Sequence, residues 1–389
     1  MTLPPDFWQW VRDHASDDPA RLRLKYGRGR ANEILQVEGR RKYRSKLDGV
    51  FSLLPEFVIP NALSPEQSTS WELARWHASL VPEGASVADF TAGMGVDVLA
   101  LSRRASTVLA VERDESIADA LAFNFREIHN VRTVCADCRE LLGRGQTFDL
   151  IFIDPARRAD DGSRLFALRQ CAPDVVEMLP SMLEMAPTVI VKASPMLDID
   201  HTLAELPLCS HIYAVGTTTE CKETVCFCHR DTGAREALIT AVTIHGEQVT
   251  LFDFTRSEER AAVPRFGAPL VGHYVYDPYP SVMKTGAFNL LSERYGAARL
   301  GPNTQLWTSA GRVDFPGHAF RVTEVLPYAS RHIKRYAAAH PRVSVTARNF
   351  DMDSAALRRK LVVADASDER LFAVKTHTGE KLLVTTVPI

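Results

Sequence analysis

The sequence lacks the features of a membrane protein and of a secreted one. No stretch of its 389 residues approaches the roughly 18 consecutive apolar residues that a membrane-spanning helix needs. No apolar run follows a basic start at the N-terminus, as it would in a secretory signal peptide. The seven cysteines are odd in number, which does not suggest a disulfide framework. We therefore expect a soluble, cytoplasmic protein with reduced thiols.

Net charge is also small, because 46 Lys and Arg oppose 48 Asp and Glu. This balance hides a local excess: residues 21–46 contain ten Lys or Arg and two Glu, with Tyr26 and Tyr43 between them. Basic side chains release counterions from a phosphate backbone, and tyrosines stack on bases. The segment is therefore a candidate nucleic-acid surface, and the alternative is an ordinary solvated helix face.

The chain is organised around residues 86–112. Ser86–Phe90 reads as a short apolar strand, and a turn of small residues follows over Thr91–Gly95. A helix then begins near Val98, and Thr107–Val111 is a second, β-branched strand. Strand, glycine-rich turn, helix and strand together predict half of a doubly wound α/β sheet, in which the first turn binds a nucleotide-like ligand.

Two acidic residues indicate which ligand this turn would take. A dinucleotide fingerprint is disfavoured, because Val98 stands where G-x-G-x-x-G needs its third glycine and Asp97 would repel a pyrophosphate. Asp89, at the end of the first strand, suits a ligand that carries a positive ammonium and a sulfonium. Glu112, at the end of the second strand, can accept both ribose hydroxyls. These features favour S-adenosylmethionine (SAM).

Residues 89–95, D-F-T-A-G-M-G, resemble the D/E-x-x-x-G-x-G motif of the class I SAM-dependent methyltransferases. Two further matches follow in order, A-D-C at residues 136–138 after a third strand and D-P-A-R-R at residues 154–158 after a fourth. In that superfamily the acid after the third strand lies at the adenine amino group. The resemblance implies that SAM is held by Asp89, Thr91, Gly93, Gly95, Glu112, Asp137 and Cys138.

The second of these matches resembles the D/N-P-P-x motif, which faces the atom that accepts the methyl group. The resemblance implies catalytic roles for Asp154, Pro155 and Arg157. In amino methyltransferases an acid or amide and a following carbonyl accept hydrogen bonds from the target amino group. An aromatic residue usually follows, whereas here Arg157 could stack on a base or grip a phosphate. The alternative is that Asp154 only initiates a turn before a proline.

D-P-x-R also resembles the D-P-P-R of RNA uridine C5 methyltransferases, which need a cysteine nucleophile. Cys221 lies in a predicted loop beside Lys222, a cation that would lower the pKa of its thiol. The alternative is a buried or incidental thiol. The C-x-x-C at residues 135–138 straddles a strand end and the C-x-C at residues 226–228 lies within a strand, so we expect no metal site.

Further stretches resemble a family of bacterial proteins described as methyltransferases, which carry a short ferredoxin-like segment and a C-terminal THUMP-like domain. They are residues 153–158, 192–198, 220–223, 280–288 and 345–350. The resemblance implies four parts: a basic helical N-terminal extension (1–62), a SAM-dependent methyltransferase core (63–232), a β-hairpin and ferredoxin-like connecting segment (233–314) and a THUMP-like accessory domain (315–389).

The fold class predicted is α/β: a doubly wound, Rossmann-like, seven-stranded methyltransferase sheet, with a helical N-terminal extension and a small C-terminal α/β accessory domain. THUMP domains present RNA to catalytic domains, so the resemblance implies transfer of a methyl group from SAM to a base in tRNA or rRNA. The expected partner is RNA, with no membrane, no metal and no particular oligomeric state predicted. Two alternatives stay open: a protein or small-molecule acceptor, or a non-catalytic RNA-binding protein of the same fold.

Overall fold

The structure is a computed structural model that describes residues 1–157, 167–233, 235–365 and 368–389. The side chains of Arg157 and Lys334 lie outside the described part. The chain forms two compact units. The first unit contains residues 1–212 and 224–235, and the second contains residues 213–223 and 236–389.

The first unit begins with helices and continues as alternating strands and helices. Its helices are α1 (Phe7–Asp13), α2 (Pro19–Tyr26), α3 (Ala31–Lys42), α4 (Arg44–Leu53), α5 (Ser64–Gln67), α6 (Trp71–Ser79), α7 (Val96–Ser102), α8 (Glu115–Asn124), α9 (Val175–Met185) and α10 (Ile199–Glu205). Its strands are β1 (Ser86–Asp89), β2 (Thr107–Glu112), β3 (Val131–Cys135), β4 (Leu150–Ile153), β5 (Ala156–Arg157), β6 (Cys171–Ala172) and β7 (Thr188–Ala193). A hairpin of β8 (Cys209–Thr217) and β9 (Cys221–His229) follows.

The second unit contains the remaining elements. They are β10 (Leu238–His245), β11 (Gln248–Phe254), α11 (Arg256–Ala261), β12 (Tyr274–Pro278), α12 (Pro280–Thr285), α13 (Phe288–Tyr295), β13 (Ala298–Gly301), β14 (Thr304–Ser309), β15 (Gly317–Pro327), α14 (Ser330–Ala339), β16 (Ser344–Arg348), α15 (Ser354–Leu361), β17 (Arg370–Lys375) and β18 (Lys381–Pro388). Seven of these strands form a separate sheet in the order β13-β14-β12-β15-β18-β17-β16. A distinct C-terminal α/β part is therefore present, as predicted.

The main sheet has nine strands, in the order β11-β10-β8-β9-β7-β4-β1-β2-β3. The prediction of seven strands is wrong, because the hairpin of β10 and β11, assigned to the connecting segment, joins the sheet. Six consecutive residues of β10 are buried, from Ile239 to Ile244. Pairing with neighbouring strands satisfies their backbone hydrogen bonds, which burial would otherwise leave unpaired.

The carboxyl ends of β1, β2 and β4 form the edge where the predicted site residues lie. β1 pairs in parallel with β2 on one side and with β4 on the other, so that Asp89 is aligned with Ala110 and Phe152. The chain order of the strands reverses at β1, and open α/β sheets bind ligands at such a switch point. β4 is fully buried along its length and pairs in parallel with β7, which places the residues after both strands at the same edge.

Every helix in the described ranges is too short or too polar to cross a membrane.

Candidate active site

The site is built on the loop after β1. Asp89 is 1% exposed, and its Oδ1 accepts a hydrogen bond from the Thr91 backbone N–H at 3.0 Å. Burial, reinforced by the negative charge of Asp97, raises the pKa of Asp89 to about 8. A carboxyl in this condition holds a proton at neutral pH until a cation approaches it. A bound ammonium would convert it to the carboxylate.

The two glycines of this loop do different work, although both have positive φ angles of +54° and +95°. A Cβ on Gly93 would meet no described atom within 4 Å, so the backbone is open to a ligand. A Cβ on Gly95 would lie 2.4 Å from the ring of Phe125 and 2.7 Å from Leu121. Gly95 is therefore required by close packing against α8 and its flanking residue, a role that the motif alone did not predict.

Glu112 ends β2 and faces the same loop. Its Oε2 accepts a hydrogen bond from the Gly93 N–H at 2.9 Å, and its Oε1 accepts one from the Asp114 N–H at 2.8 Å. These bonds fix the half-buried carboxylate in place. Because each carboxylate oxygen has two lone pairs, Glu112 can still accept hydrogen bonds from two hydroxyls.

Asp137 and Cys138 lie after β3 and are fixed mainly by local contacts. The Asp137 carboxylate binds the Arg139 side chain at 2.9 and 2.6 Å and the Arg139 N–H at 3.0 Å. The hydrogen bond from the Arg139 guanidinium lowers the pKa of Asp137 to about 2. Burial raises the pKa of Cys138 to about 11, so its thiol is neutral. Asp137 thus presents a permanently charged, partly exposed acceptor at this edge of the sheet.

Asp154 follows β4 and is joined directly to the glycine loop. Its backbone N–H donates to the Thr91 hydroxyl at 2.6 Å, while its side chain is 40% exposed. Pro155 is buried, and the backbone of Arg157 lies in β5, which pairs with β6. Any contact of the Arg157 side chain lies outside the described residues, as does Arg158. The structure therefore brings Asp154 and Pro155 to the glycine loop.

A buried charge cluster, which consists of Thr69, His77, Asp97, Lys192 and Asp154, lies behind this loop. Lys192 is the penultimate residue of β7, and its side chain is 8% exposed. Its Nζ donates to Asp154 Oδ2 at 2.6 Å and to the Thr69 hydroxyl at 2.6 Å. The same hydroxyl donates to Asp97 Oδ2 at 2.7 Å, and Lys192 Nζ lies 3.7 Å from that oxygen.

The cluster ends at a buried histidine. The fully buried His77 ring places Nδ1 2.7 Å from Asp97 Oδ1. Burial alone would raise the pKa of Asp97, but the charge of Lys192 and the contact with His77 outweigh it and hold this pKa well below its usual range. The sequence analysis missed Thr69, His77 and the part that Asp97 has in this cluster. A histidine among the apolar residues of α6 was the available signal.

Cys221 does not have the environment of a nucleophile. Its Sγ lies 3.6 Å from the carbonyl oxygen of Val215 and 3.7 Å from that of Glu223. Burial raises the pKa of Cys221 to about 11 despite the nearby Lys284. A nucleophilic cysteine needs a lowered pKa to supply thiolate. Across the described ranges, no group of three or more His, Cys, Asp or Glu side chains could hold a metal ion.

Most cations of the basic segment 21–46 are bound within the first unit. Six have acceptors there: Arg23 (Glu38), Arg30 (Asp6 and Glu33), Arg40 (the Pro55 and Phe57 carbonyls), Arg41 (the Asp17 carbonyl), Lys42 (Glu66) and Lys46 (the Pro65 and Glu66 carbonyls). The other four are exposed, and in the described part of the chain their side chains donate no hydrogen bond and form no ion pair within 4 Å: Arg21, Lys25, Arg28 and Arg44. A phosphate could bind these four without displacing a protein acceptor.

Comparison with known proteins supports the resemblance found in the motifs. Three family models match: Conserved hypothetical protein 95 at residues 74–172, a ferredoxin-like domain at residues 274–316 and a THUMP domain-like family at residues 317–387. No curated protein matches the chain.

Among solved structures, the chain is similar over its whole length to a putative methyltransferase from Porphyromonas gingivalis W83, with 28% identity, 100% coverage of both chains and a TM-score of 0.90. A putative RNA methyltransferase from Pyrococcus horikoshii matches with 19% identity over 48% of this chain and 98% of that one, at a TM-score of 0.34. A 16S rRNA methyltransferase from T. thermophilus, in complex with AdoMet and guanosine, matches with 17% identity over 42% and 43%, at a TM-score of 0.32. The full-length match and the THUMP-like match confirm the resemblance to methyltransferases with a THUMP-like domain.

Proposed function

We propose that the protein is a SAM-dependent methyltransferase that modifies a base in RNA. One observation carries this proposal: the hydrogen bond from the Asp154 N–H to the Thr91 hydroxyl. It joins the loop that carries the cofactor motif to the loop that carries the acceptor motif. Asp89 and Glu112 bind the backbone of the first loop, and the partly exposed Asp154 begins the second.

The residues of the first loop fit the cofactor. When bound, SAM supplies an electrophilic methyl group on a sulfonium. Asp89 would hold the ammonium group, and the open backbone at Gly93 leaves room for the ligand. Glu112 would accept hydrogen bonds from the ribose hydroxyls, and Asp137 would accept one from the adenine amino group.

Asp154 and Pro155 would bind the methyl acceptor. The carboxylate and the Pro155 carbonyl would accept hydrogen bonds from a base amino group, so that its lone pair is aimed at the methyl group. Holding both partners in this geometry supplies most of the rate enhancement in a transfer of this kind. Asp154 then takes the proton that the amino group loses. Amino transfer is favoured over the C5 route, because the pKa of Cys221 is raised.

RNA as the substrate is supported by the free cations and by the THUMP-like match. Arg21 and Lys25 are four residues apart and lie on one face of α2, and Arg28 lies in the short turn after this helix. Exposed cations on one face suit a phosphate backbone.

The test is transfer of a labelled methyl group from SAM to total RNA from a strain that lacks the gene, followed by nucleoside analysis. We expect one labelled nucleoside, methylated on an exocyclic amino group. Label at C5 of a pyrimidine would contradict the role of Asp154. If calorimetry shows that the protein binds SAM but the RNA pool stays unlabelled, the methyl acceptor is a protein or a small molecule.

A further inference from the structure

We propose that Lys192 is a positioning residue for methyl transfer. Its buried ammonium holds one oxygen of Asp154 inward, so that the other oxygen is presented to the acceptor. Thr69, Asp97 and His77 in turn hold Lys192 in place. This inference rests on the proposed function, because it concerns the orientation of the acceptor-binding carboxylate.

The hydrogen bonds of the cluster form one continuous chain. Lys192 Nζ donates hydrogen bonds to Asp154 and to the Thr69 hydroxyl, and the Thr69 hydroxyl in turn donates one to Asp97 Oδ2. The other oxygen of Asp97 lies 2.7 Å from His77 Nδ1. Because donors and acceptors alternate along the chain, each contact fixes the orientation of the next.

The exposed fraction of the side chains is low along the cluster and is high only at its outer end, Asp154. The side chain of His77 is 0% exposed, that of Asp97 13% and that of Lys192 8%, whereas Asp154 reaches 40%. Only the last carboxylate opens toward solvent, and its inner oxygen is already bound by Lys192. The outer oxygen is therefore the one that an acceptor can reach.

The sheet register explains why these two side chains meet. Ile153 of β4 is aligned with Val191 of β7 in a parallel pair. Asp154 is the first residue after β4 and Lys192 is the penultimate residue of β7, so the two lie side by side at the same edge of the sheet. Thr69 lies two residues before α6, His77 lies in the last turn of α6, and Asp97 lies in the first turn of α7.

Asp97 also gives Lys192 a second anionic partner. If Asp154 accepts the proton of the methylated amino group, it loses its charge. A buried ammonium without a counterion is strongly unfavourable. Because Asp97 Oδ2 lies 3.7 Å from Lys192 Nζ, the lysine keeps a partner at that moment and stays in position for the next turnover.

The experiment compares Lys192→Met, Lys192→Arg and the surface control Lys222→Met, using the full chain with SAM and the RNA identified above. We expect Lys192→Met to bind SAM with nearly unchanged affinity and to transfer methyl about 100-fold more slowly. Lys192→Arg should recover part of the rate, since it keeps the charge. Asp154→Asn and the double variant Lys192→Met/Asp154→Asn should be equally slow, because the lysine acts through Asp154.

Thr69→Val serves as a second variant if Lys192→Met does not fold, because it breaks the chain without removing a charge. It should slow transfer about tenfold and leave SAM affinity intact. A wild-type transfer rate in folded Lys192→Met, or in Thr69→Val where Lys192→Met does not fold, would overturn the proposal. So would a fall in SAM affinity as large as the fall in rate.

A protein that methylates no RNA would refute the proposed function but not this pairing. In that case a double-mutant cycle on the free energy of unfolding, with Lys192→Met and Asp154→Ala, measures the contact directly, because each variant removes one of its two partners. Non-additive losses support the positioning contact, and additive losses overturn it.

Discussion

Charged side chains are arranged differently in two regions of the first unit, the buried charge cluster and the basic segment 21–46. In the cluster, Lys192 and Asp97 are enclosed, and their contacts link one side chain to the next. In the basic segment, the cations lie at or near the surface, and six of them bind carbonyls or carboxylates of the unit itself. Removing a partner from a buried pair is costly, whereas exposed pairs contribute little.

This difference teaches that charge density alone is a poor guide to function. The segment with ten basic residues has four cations free to bind a ligand. The cluster, which the composition does not reveal, contains Lys192, whose ammonium binds the partly exposed carboxylate of Asp154 beside the glycine loop. The following predictions test the contrast, from the largest expected effect to the smallest.

The largest effects should come from the two acids of the site. Asp89→Ala should abolish SAM binding, because it removes the partner of the ammonium group. Asp154→Ala should leave SAM affinity unchanged and lower the transfer rate at least 100-fold, on the order of a lost general base. Calorimetry and single-turnover transfer separate the two. Equal losses of SAM affinity would show that the acids do not have separate roles.

A smaller effect should appear in the pH dependence of the free energy of unfolding, to which Asp89 contributes. Its pKa in the folded protein, about 8, lies above the ordinary aspartate value of 3.8, so the folded state binds more protons than the unfolded state between these values. The free energy of unfolding should therefore fall by about 1.4 kcal/mol per pH unit between pH 5 and 7 from this group. Asp89→Asn should remove that slope, as measured by urea unfolding, while losing SAM affinity.

The control for this measurement is Asp119→Asn, which alters a carboxyl that is 61% exposed. It should leave the slope as it is in the wild type. In the wild type, SAM affinity should rise with pH up to about 8, because the carboxylate is the form that binds an ammonium group. An affinity independent of pH would place the ammonium elsewhere.

The smallest effect should come from the exposed cations of α2 and of the turn after it. Replacing Arg21, Lys25 and Arg28 with Gln should lower the slope of log affinity for RNA against log salt by about 2, since each phosphate contact contributes about 0.7 for single strands. The matched control replaces Arg23, Arg41 and Lys42, three cations that are bound within the unit. If both triple variants change the slope equally, the internal contacts do not distinguish the cations.

The local pattern of the sequence was sufficient to predict the strands, the glycine loop and the acids Asp89 and Glu112. Each lies a few residues from the strand end that positions it, so the order of strands and turns predicts its place. Lys192 and Thr69 are separated by 123 residues, and their contact depends on the tertiary packing that brings the segment before α6 to β7. The role of Gly95 depends likewise on Phe125 and Leu121. No local periodicity contains that information.

The hydrogen bond that the Thr91 hydroxyl accepts couples ligand binding at the two loops. The hydroxyl accepts the Asp154 N–H at 2.6 Å, so the two loops share one mechanical link. A ligand that shifts either loop changes the affinity of the other loop for its own ligand, and this coupling is the same in both directions. We therefore expect the two substrates to bind cooperatively. We also expect inhibition by the demethylated cofactor to depend on the acceptor concentration. Both effects would act through the hydrogen bond that Thr91 accepts.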